Sequence, residues 1–103
     1  MFCNESKRRL SIAMKPYEHF QISEFNFIRR FGQNVSEEDL VWHRDQRDRV
    51  IYVIHVDDGW SFQEDNKLPQ DLTPMNSVFR VEAGTYHRLI KGKGHCVLYV
   101  EEK

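Results

Sequence analysis

The chain has 103 residues, which is the length of one domain with a single hydrophobic core. Hydrophobic residues make up 40% of it and aromatic residues 13%, so the composition excludes an intrinsically disordered protein. Fifteen basic residues against sixteen acidic ones leave a formal charge of −1, which provides no net positive field for nucleic acid or for an anionic membrane as a partner.

The chain carries no pattern of a membrane span or of a secretory signal. The basic cluster at 7–9 precedes only five mostly apolar residues, fewer than a signal peptide needs, and no apolar run approaches about twenty residues. Cys3 falls in a predicted tail and Cys96 in a predicted strand, which does not suggest a disulfide framework. We therefore expect a cytoplasmic protein.

The first part of the chain predicts strands with little helix. Residues 1–14 lack periodicity and are expected to form a loose extension, so the domain itself spans 15–103. Over residues 17–31 the apolar positions mix strand alternation with a helix-like spacing at the end. A cap-type Ser36 before acidic residues predicts one helical turn at most within 34–39.

The second part predicts short strands separated by turns. Residues 50–56 are apolar except for His55 and rich in β-branched side chains, which indicates a strand buried on both faces. The Asp-Asp-Gly at 57–59 predicts a hairpin turn, with 60–63 as the returning strand. Further short strands fit 72–73, 78–81 and 96–100. This spacing is typical of a β-sandwich or β-barrel, so the predicted fold class is all-β.

Three residues have the chemistry of a metal site. His43 and Asp45 are two residues apart, so in an extended segment both side chains point to one face. His87 follows a turn in which Gly84 allows the backbone to reverse and direct the imidazole toward the same interior. Two imidazoles and one carboxylate form a facial triad of the kind that binds non-haem iron(II) and leaves coordination positions open. Manganese, nickel and zinc accept the same ligands.

The order of these motifs resembles the cupin superfamily over residues 40–100. His-x-Asp, an apolar strand, an Asp-Gly turn, a strand and then Ala-Gly-Thr-Tyr-His follow one another as the two cupin motifs do. His43 matches the first histidine of that pattern, Gly84 its late glycine and His87 its last histidine. The resemblance implies a single-domain jelly-roll β-barrel with a metal in its pocket, and commonly a homodimer. The segment 83–89 is also similar to acireductone dioxygenases, which are iron or nickel cupins.

The chain departs from the cupin pattern at several positions. Asp45 replaces the second histidine, and Arg49 stands where the ligand glutamate is expected. An arginine cannot bind a cation, because it has only donors and stays protonated. Three alternatives follow: Asp45 is the only carboxylate ligand, Asp48 substitutes for the glutamate, or the site has lost its metal. Other replacements are found at Asn76, Glu82 and Lys91.

A ligand pocket is expected beside the triad. Arg49 could anchor an acidic small molecule, and His55 shares strand parity with it, although a histidine bonded to the backbone is the simpler interpretation. His19 and His95 are expected at the surface. For His43 and Asp45 the simpler interpretation is a polar edge at which Asp45 pairs with an arginine at 44, 47 or 49. The predicted ligand-binding residues are Arg49, Tyr52, His55, Trp60 and Phe79.

Three functions are consistent with these features. The first is a metal-dependent enzyme of the oxygenase or isomerase type, acting on a small and acidic molecule. The second is a metal-free module that binds a small ligand without catalysis. The third is a partner protein that uses its outer surface, which an exposed apolar patch would favour.

Overall fold

The computed structural model describes residues 17–36, 40–74 and 78–103, and within these ranges the chain forms eight strands and no helix. The predicted all-β class is therefore confirmed. The described part accordingly contains no helix of the length and apolarity needed to cross a membrane. The predicted extension at 1–14 and part of the predicted turn at 34–39 lie outside the described residues. The strands are β1 (Glu18–Ser23), β2 (Asn26–Phe31), β3 (Arg49–Val56), β4 (Ser61–Glu64), β5 (Gln70–Asp71), β6 (Val78–Val81), β7 (His87–Ile90) and β8 (Cys96–Glu102).

The strands form two antiparallel sheets. One has five strands in the order β1-β2-β8-β3-β6, and the other has three in the order β5-β4-β7. The pairings among the described residues leave both sheets open, so they show no closed barrel.

The core lies between the sheets because several strands direct alternate apolar residues inward. On β2 and β8 the inward positions include Phe27, Phe31 and Leu98, all at most 4% exposed. From the other sheet Phe62 and Leu89, paired across β4 and β7, pack into the same core. Burial of about a dozen such side chains provides the main stabilisation of a domain this small.

The predicted hairpin at 57–59 is wrong, although its turn is present. Gly59 has a φ of +88°, the conformation that favours glycine there. The strands on either side do not pair with each other: β3 pairs with β6 and β8, whereas β4 pairs with β5 and β7. The turn therefore carries the chain from one sheet to the other, and the two strands contribute to opposite walls of the core.

Two further strands differ from the prediction. β5 occupies Gln70–Asp71 rather than 72–73, and Leu72 follows it as a buried core residue. β7, at His87–Ile90, was not predicted, because only four residues separate two turn-rich segments. Its burial nevertheless alternates, with His87 and Leu89 facing the interior.

Gly92 offers a test of the packing between the sheet-changing turn and the β7–β8 connection. A β-carbon on Gly92 would overlap the backbone nitrogen of Trp60 and lie 2.5 Å from the carbonyl oxygen of Asp58. Because these are backbone atoms, they cannot rotate away, and we expect Gly92→Ala to lower the free energy of unfolding by about 2 kcal/mol or more. Urea denaturation measures this. Gly32→Ala meets only the His95 side chain, at 3.6 Å, and should cost far less; equal losses would contradict the packing described.

Candidate metal site

A short backbone pairing places the two predicted histidine ligands directly opposite each other. His43 forms an isolated antiparallel bridge with His87, the first residue of β7. The amide of His43 donates to the carbonyl of His87 at 3.0 Å, and the amide of His87 donates to the carbonyl of His43 at 2.8 Å. Residues directly opposite each other point to the same side of a sheet. The ring centroids accordingly lie 4.3 Å apart, and both residues are at most 4% exposed.

The backbone also fixes the orientation of each imidazole. Nδ1 of His43 lies 3.0 Å from the carbonyl oxygen of Val41, and Nδ1 of His87 lies 2.9 Å from that of Thr85. A carbonyl oxygen can only accept, so Nδ1 carries the proton in both rings. When the ring is neutral the lone pair is then on Nε2, which is the arrangement found in metal-binding histidines held by a second hydrogen bond.

Asp45 completes the group, and its side chain is 8% exposed. Its Oδ2 lies 3.1 Å from Nε2 of His87, and its Oδ1 lies 3.3 Å from Nη1 of Arg49. Its backbone is tied to the turn before β7, because the amide of Gly84 donates to the Asp45 carbonyl at 2.9 Å. Gly84 has a φ of +84°, so the conformation expected for this glycine is present.

These three residues could hold a metal ion. Their ligand atoms all lie within 4.8 Å of one another in the buried interior. The buried Oδ2 of Asp45 and Nε2 of His87 make no aligned hydrogen bond with any described residue, in spite of their 3.1 Å separation. Adjacent ligands of one ion bound at about 2.1 Å lie about 3 Å apart. The 3.1 Å separation of Asp45 Oδ2 and His87 Nε2 therefore fits two neighbouring ligands of one ion, as well as a direct contact between the two side chains.

The protonation states agree with ligation. Burial lowers the pKa of His43 to about 4, so its imidazole is neutral at pH 7. Burial acts on Asp45 in the opposite sense and raises its pKa, but the contact with His87 and the charge of Arg49 outweigh it, and the net pKa is below the usual value. Asp45 is therefore ionised. A neutral imidazole and a carboxylate are the forms that bind a metal.

Two of the predicted ligand-binding residues lie close to this group. Arg49 is 6% exposed and contacts Asp45, but its Nε and Nη2 donate to Oε2 of Glu102 at 3.0 and 2.7 Å. Phe79 packs against Phe62 with ring centroids 4.6 Å apart, and Phe62 lies 5.4 Å from the ring of His87. Phe79 is therefore linked to His87 through the ring of Phe62.

Three other predicted ligand-binding residues lie elsewhere. Tyr52 is on the outer face of the five-stranded sheet, where its hydroxyl donates to Glu101 at 3.1 Å. A bulge between Val53 and His55 ends the strand alternation, so His55 is exposed and contacts Asp57 at 3.1 Å. Trp60 is fully buried in the core, and its indole donates to the Lys93 carbonyl at 2.7 Å.

Asp48, considered as a substitute ligand, is likewise directed away from the triad. Its carboxylate accepts from the amide of Ala83 at 2.7 Å and contacts Arg80 at 3.4 Å. Among the described residues the triad is thus left with Asp45 as its carboxylate.

Sequence reasoning missed one buried residue, Arg29, on the strand β2. It is 7% exposed and faces the interior between Phe27 and Phe31. The alternation of β2 contains the signal, because a strand that directs both phenylalanines inward must direct the residue between them inward as well. His19, expected at the surface, is only partly exposed and accepts a hydrogen bond from Arg29.

An open cleft of about 830 Å³ borders the site at Asp45. Arg49, Glu102 and Gly84 also line it. Arg44 and Arg47 also line it, each with its guanidinium over an aromatic ring, Tyr86 and Phe25 respectively. The cleft beside Asp45 is therefore lined by more positive than negative side chains.

The buried imidazole of His43 predicts a pH-dependent stability in metal-free protein. Between about pH 6.5 and pH 4 the unfolded chain binds a proton that folded His43 does not. Stability is therefore present above this window and is lost as the pH falls through it, by on the order of 3 kcal/mol. We expect His43→Gln to remove most of this loss. Urea denaturation at pH 7 and pH 4.5 measures it, and parallel pH profiles for parent and variant would contradict the assignment.

Comparison with known proteins identifies a fold and no activity. No family model matches the chain. No curated protein matches it either. Among solved structures, protein NMB1881 from Neisseria meningitidis is similar with a TM-score of 0.56 and 16% sequence identity, over 93% of each chain. At this identity the similarity shows a shared fold alone.

Proposed function

We propose that this chain is a small cupin-like protein that binds a divalent transition metal through His43, Asp45 and His87. At that ion it binds, or acts on, a small molecule. One observation carries the proposal: two imidazoles with their Nδ1 atoms tied to carbonyls converge with an ionised carboxylate in a buried interior. Metal-binding histidines typically donate their second ring N–H to a carbonyl or carboxylate in this way, and ligation needs a neutral imidazole and an ionised carboxylate.

The strand order supports the cupin-like part of the proposal. The strands β2, β8, β3 and β6 are neighbours in one sheet, and β7, β4 and β5 in the other. Without β1 these are seven strands, and the bridge at His43 adds an eighth extended segment beside β7. This arrangement supports a jelly roll of two four-stranded layers with β1 added at an edge. Cupins are one class of jelly rolls.

The three ligands leave coordination positions open, which is the form of a catalytic rather than a structural site. An ion bound there would supply Lewis acidity and a binding position for a substrate oxygen or dioxygen, as in oxygenases and isomerases. The protein's own residues orient that chemistry: the carbonyls of Val41 and Thr85 fix the rings, and Arg49 holds Asp45. Iron, manganese, nickel and zinc all accept this ligand set.

A second function is favoured by the contact of Arg49 with Asp45. The guanidinium Nη1 lies 3.3 Å from the carboxylate and competes with a cation for it. A protein that never takes up metal could use this pair, with His43 and His87 as hydrogen-bond partners, to bind a small ligand without catalysis. Metal content separates the two functions.

We expect about one equivalent of transition metal in the purified protein, or after reconstitution with iron(II), manganese, nickel or zinc, measured by elemental mass spectrometry. Asp45→Asn should reduce metal affinity by about 10- to 100-fold or more, because a neutral amide replaces the only charged ligand. His87→Ala should act in the same direction.

The matched control is His55→Ala, which removes an exposed imidazole outside the triad. It should bind metal as the parent does. Equal metal content in the Asp45→Asn variant and the parent would refute the ligand assignment. Parent protein that takes up none of the four metals would support the metal-free function instead.

The homodimer implied by the resemblance also has a surface available to it. On the outer face of the five-stranded sheet a cross-strand row of side chains is apolar or aromatic over all five strands: Phe20, Ile28, Tyr99, Tyr52 and Val78. We propose that two copies pair through this row, which would bury Phe20, 52% exposed in the single chain.

Size-exclusion chromatography with light scattering tests the pairing. Phe20→Lys should shift the protein toward monomer, because it places a charge in the proposed interface. Leu68→Lys, at an 88% exposed position outside the row, should leave the mass unchanged. A parent protein that is monomeric at high concentration would contradict the pairing.

A further inference from the structure

Arg29 occupies the interior in a way that packing alone does not explain. Its guanidinium carbon lies 4.5 Å from the ring centroid of Tyr17 and 4.6 Å from that of Phe27. Its Nε donates to Nδ1 of His19 at 2.9 Å. Two rings and one hydrogen bond therefore hold the group in one orientation, which leaves the Nη side of the fork directed away from His19.

The charge of Arg29 has no carboxylate partner within the described part of the chain. Nη1 is buried and makes no hydrogen bond there, and no ion pair within 4.0 Å joins Arg29 to a described acidic residue. Burial lowers the pKa of Arg29 to about 10, yet the group stays charged at pH 7. A buried donor that carries charge and lacks an acceptor is costly, so a ligand that supplies the acceptor is favoured.

Arg29 lies on the side of the interior that contains the triad. Arg29 and Arg49 share the ring of Phe27, with guanidinium carbons 4.6 and 5.3 Å from its centroid. Arg49 in turn contacts Asp45 at 3.3 Å. The charge of Asp45 also acts on Arg29 directly. The ring of Phe27 thus lies between Arg29, which has no carboxylate partner among the described residues, and Arg49, which contacts the proposed metal ligand Asp45.

The charge balance of this region favours an anion. Glu102 balances the charge of Arg49, since Oε2 accepts from both Nε and Nη2, although the buried Nη1 of Arg49 contacts Asp45 at 3.3 Å without an aligned hydrogen bond. Asp45 is the remaining carboxylate, and a divalent ion would take it as a ligand. With the ion bound, Arg29 and the ion together leave an excess of positive charge in a buried space.

We propose that Arg29 binds the carboxylate of a small organic acid whose other end reaches the ion at the triad. The second half of this statement rests on the proposed function, whereas the carboxylate contact at Arg29 does not. A carboxylate suits the site better than a phosphate does: one buried Nη group between two rings offers few donors, and a phosphate dianion needs several. Arg29 is thus an anion-binding residue that defines the class of ligand.

Malonate is a suitable probe, because it is a small organic acid that offers a carboxylate to Arg29. Isothermal titration calorimetry measures its binding to metal-free and to manganese-loaded protein, with inorganic phosphate in parallel. We expect malonate to bind parent protein more tightly than phosphate does. Arg29→Met, which keeps the apolar length of the side chain, should weaken malonate binding on the order of 10- to 100-fold. Arg30→Gln, next to it on the exposed face of β2, should bind malonate as the parent does.

Thermal unfolding separates a ligand role from a structural one. In anion-free buffer the melting temperature of Arg29→Met should equal or exceed that of the parent, because the variant loses a buried charge without a carboxylate partner. Malonate should raise the melting temperature of the parent and not of the variant. A sharp fall in melting temperature with unchanged malonate affinity would overturn the proposal and assign Arg29 a packing role.

The test stays decisive if Arg29→Met does not fold. Arg29→Lys keeps the charge but not the fork, and it should bind malonate at least about fivefold more weakly. In parent protein, the Nε–H resonance of Arg29 should shift on addition of malonate.

Failure of this inference can be told apart from failure of the proposed function. Parent protein that contains no metal would refute the metal site, yet malonate binding to the metal-free form would still support the contact at Arg29. Metal-loaded parent that binds neither malonate nor phosphate would refute the anion site and leave the metal site intact. Arg29→Met should retain the metal content of the parent.

Discussion

The site depends on two backbone hydrogen bonds between His43 and His87. The segment around His43 forms no named strand, so this bridge is what holds it against β7. Once the two residues are opposite each other, their side chains must share a face, and Asp45, two residues on, returns to that face. The amide of Gly84 then donates a hydrogen bond to the Asp45 carbonyl, which ties the segment that contains Asp45 to the turn before β7. Backbone pairing rather than side-chain contact therefore sets the geometry of the three ligands.

Electrostatics within this frame act in two directions. The contact with His87 and the charge of Arg49 both lower the pKa of Asp45 and favour the ionised form that binds a cation, yet Arg49 also contacts one oxygen of that carboxylate. Glu102 moderates this competition, because it draws the other edge of the guanidinium to itself through two hydrogen bonds. Arg49 thus positions the carboxylate of Asp45 beside the two histidines. Two carboxylates, those of Asp45 and Glu102, offset the cost of burying the charge of Arg49.

Local features of the sequence predicted local features of the site. The spacing of His43 and Asp45 and the positive φ at Gly84 follow from strand periodicity and from glycine chemistry, and the structure has both. The predictions were wrong where pairing between strands that are distant in the sequence determines the structure. His55 loses its strand parity at a bulge against β8, and the turn at 57–59 joins two sheets because β3 and β4 each find other partners. Arg29 was missed although it alternates with Phe27 and Phe31, because the helix-like spacing at the end of 17–31 obscured the strand β2.

Two buried arginines, Arg29 and Arg49, lie on the inward face of the five-stranded sheet and make the fold less stable than an apolar face would. Apolar side chains at the positions of Arg29 and Arg49 would bury more favourably than two cations, since replacing buried charges with packed hydrophobic groups is often neutral or stabilising. Arg49 is compensated inside the chain, by Asp45 and Glu102, whereas the described residues provide Arg29 with rings and an imidazole but no anion. A buried cation that is held in one orientation adds little to the stability of the fold, but it is well placed to bind an anionic ligand. The asymmetry between the two arginines therefore indicates that the interior beside the triad is arranged for an anionic ligand as well as for the fold.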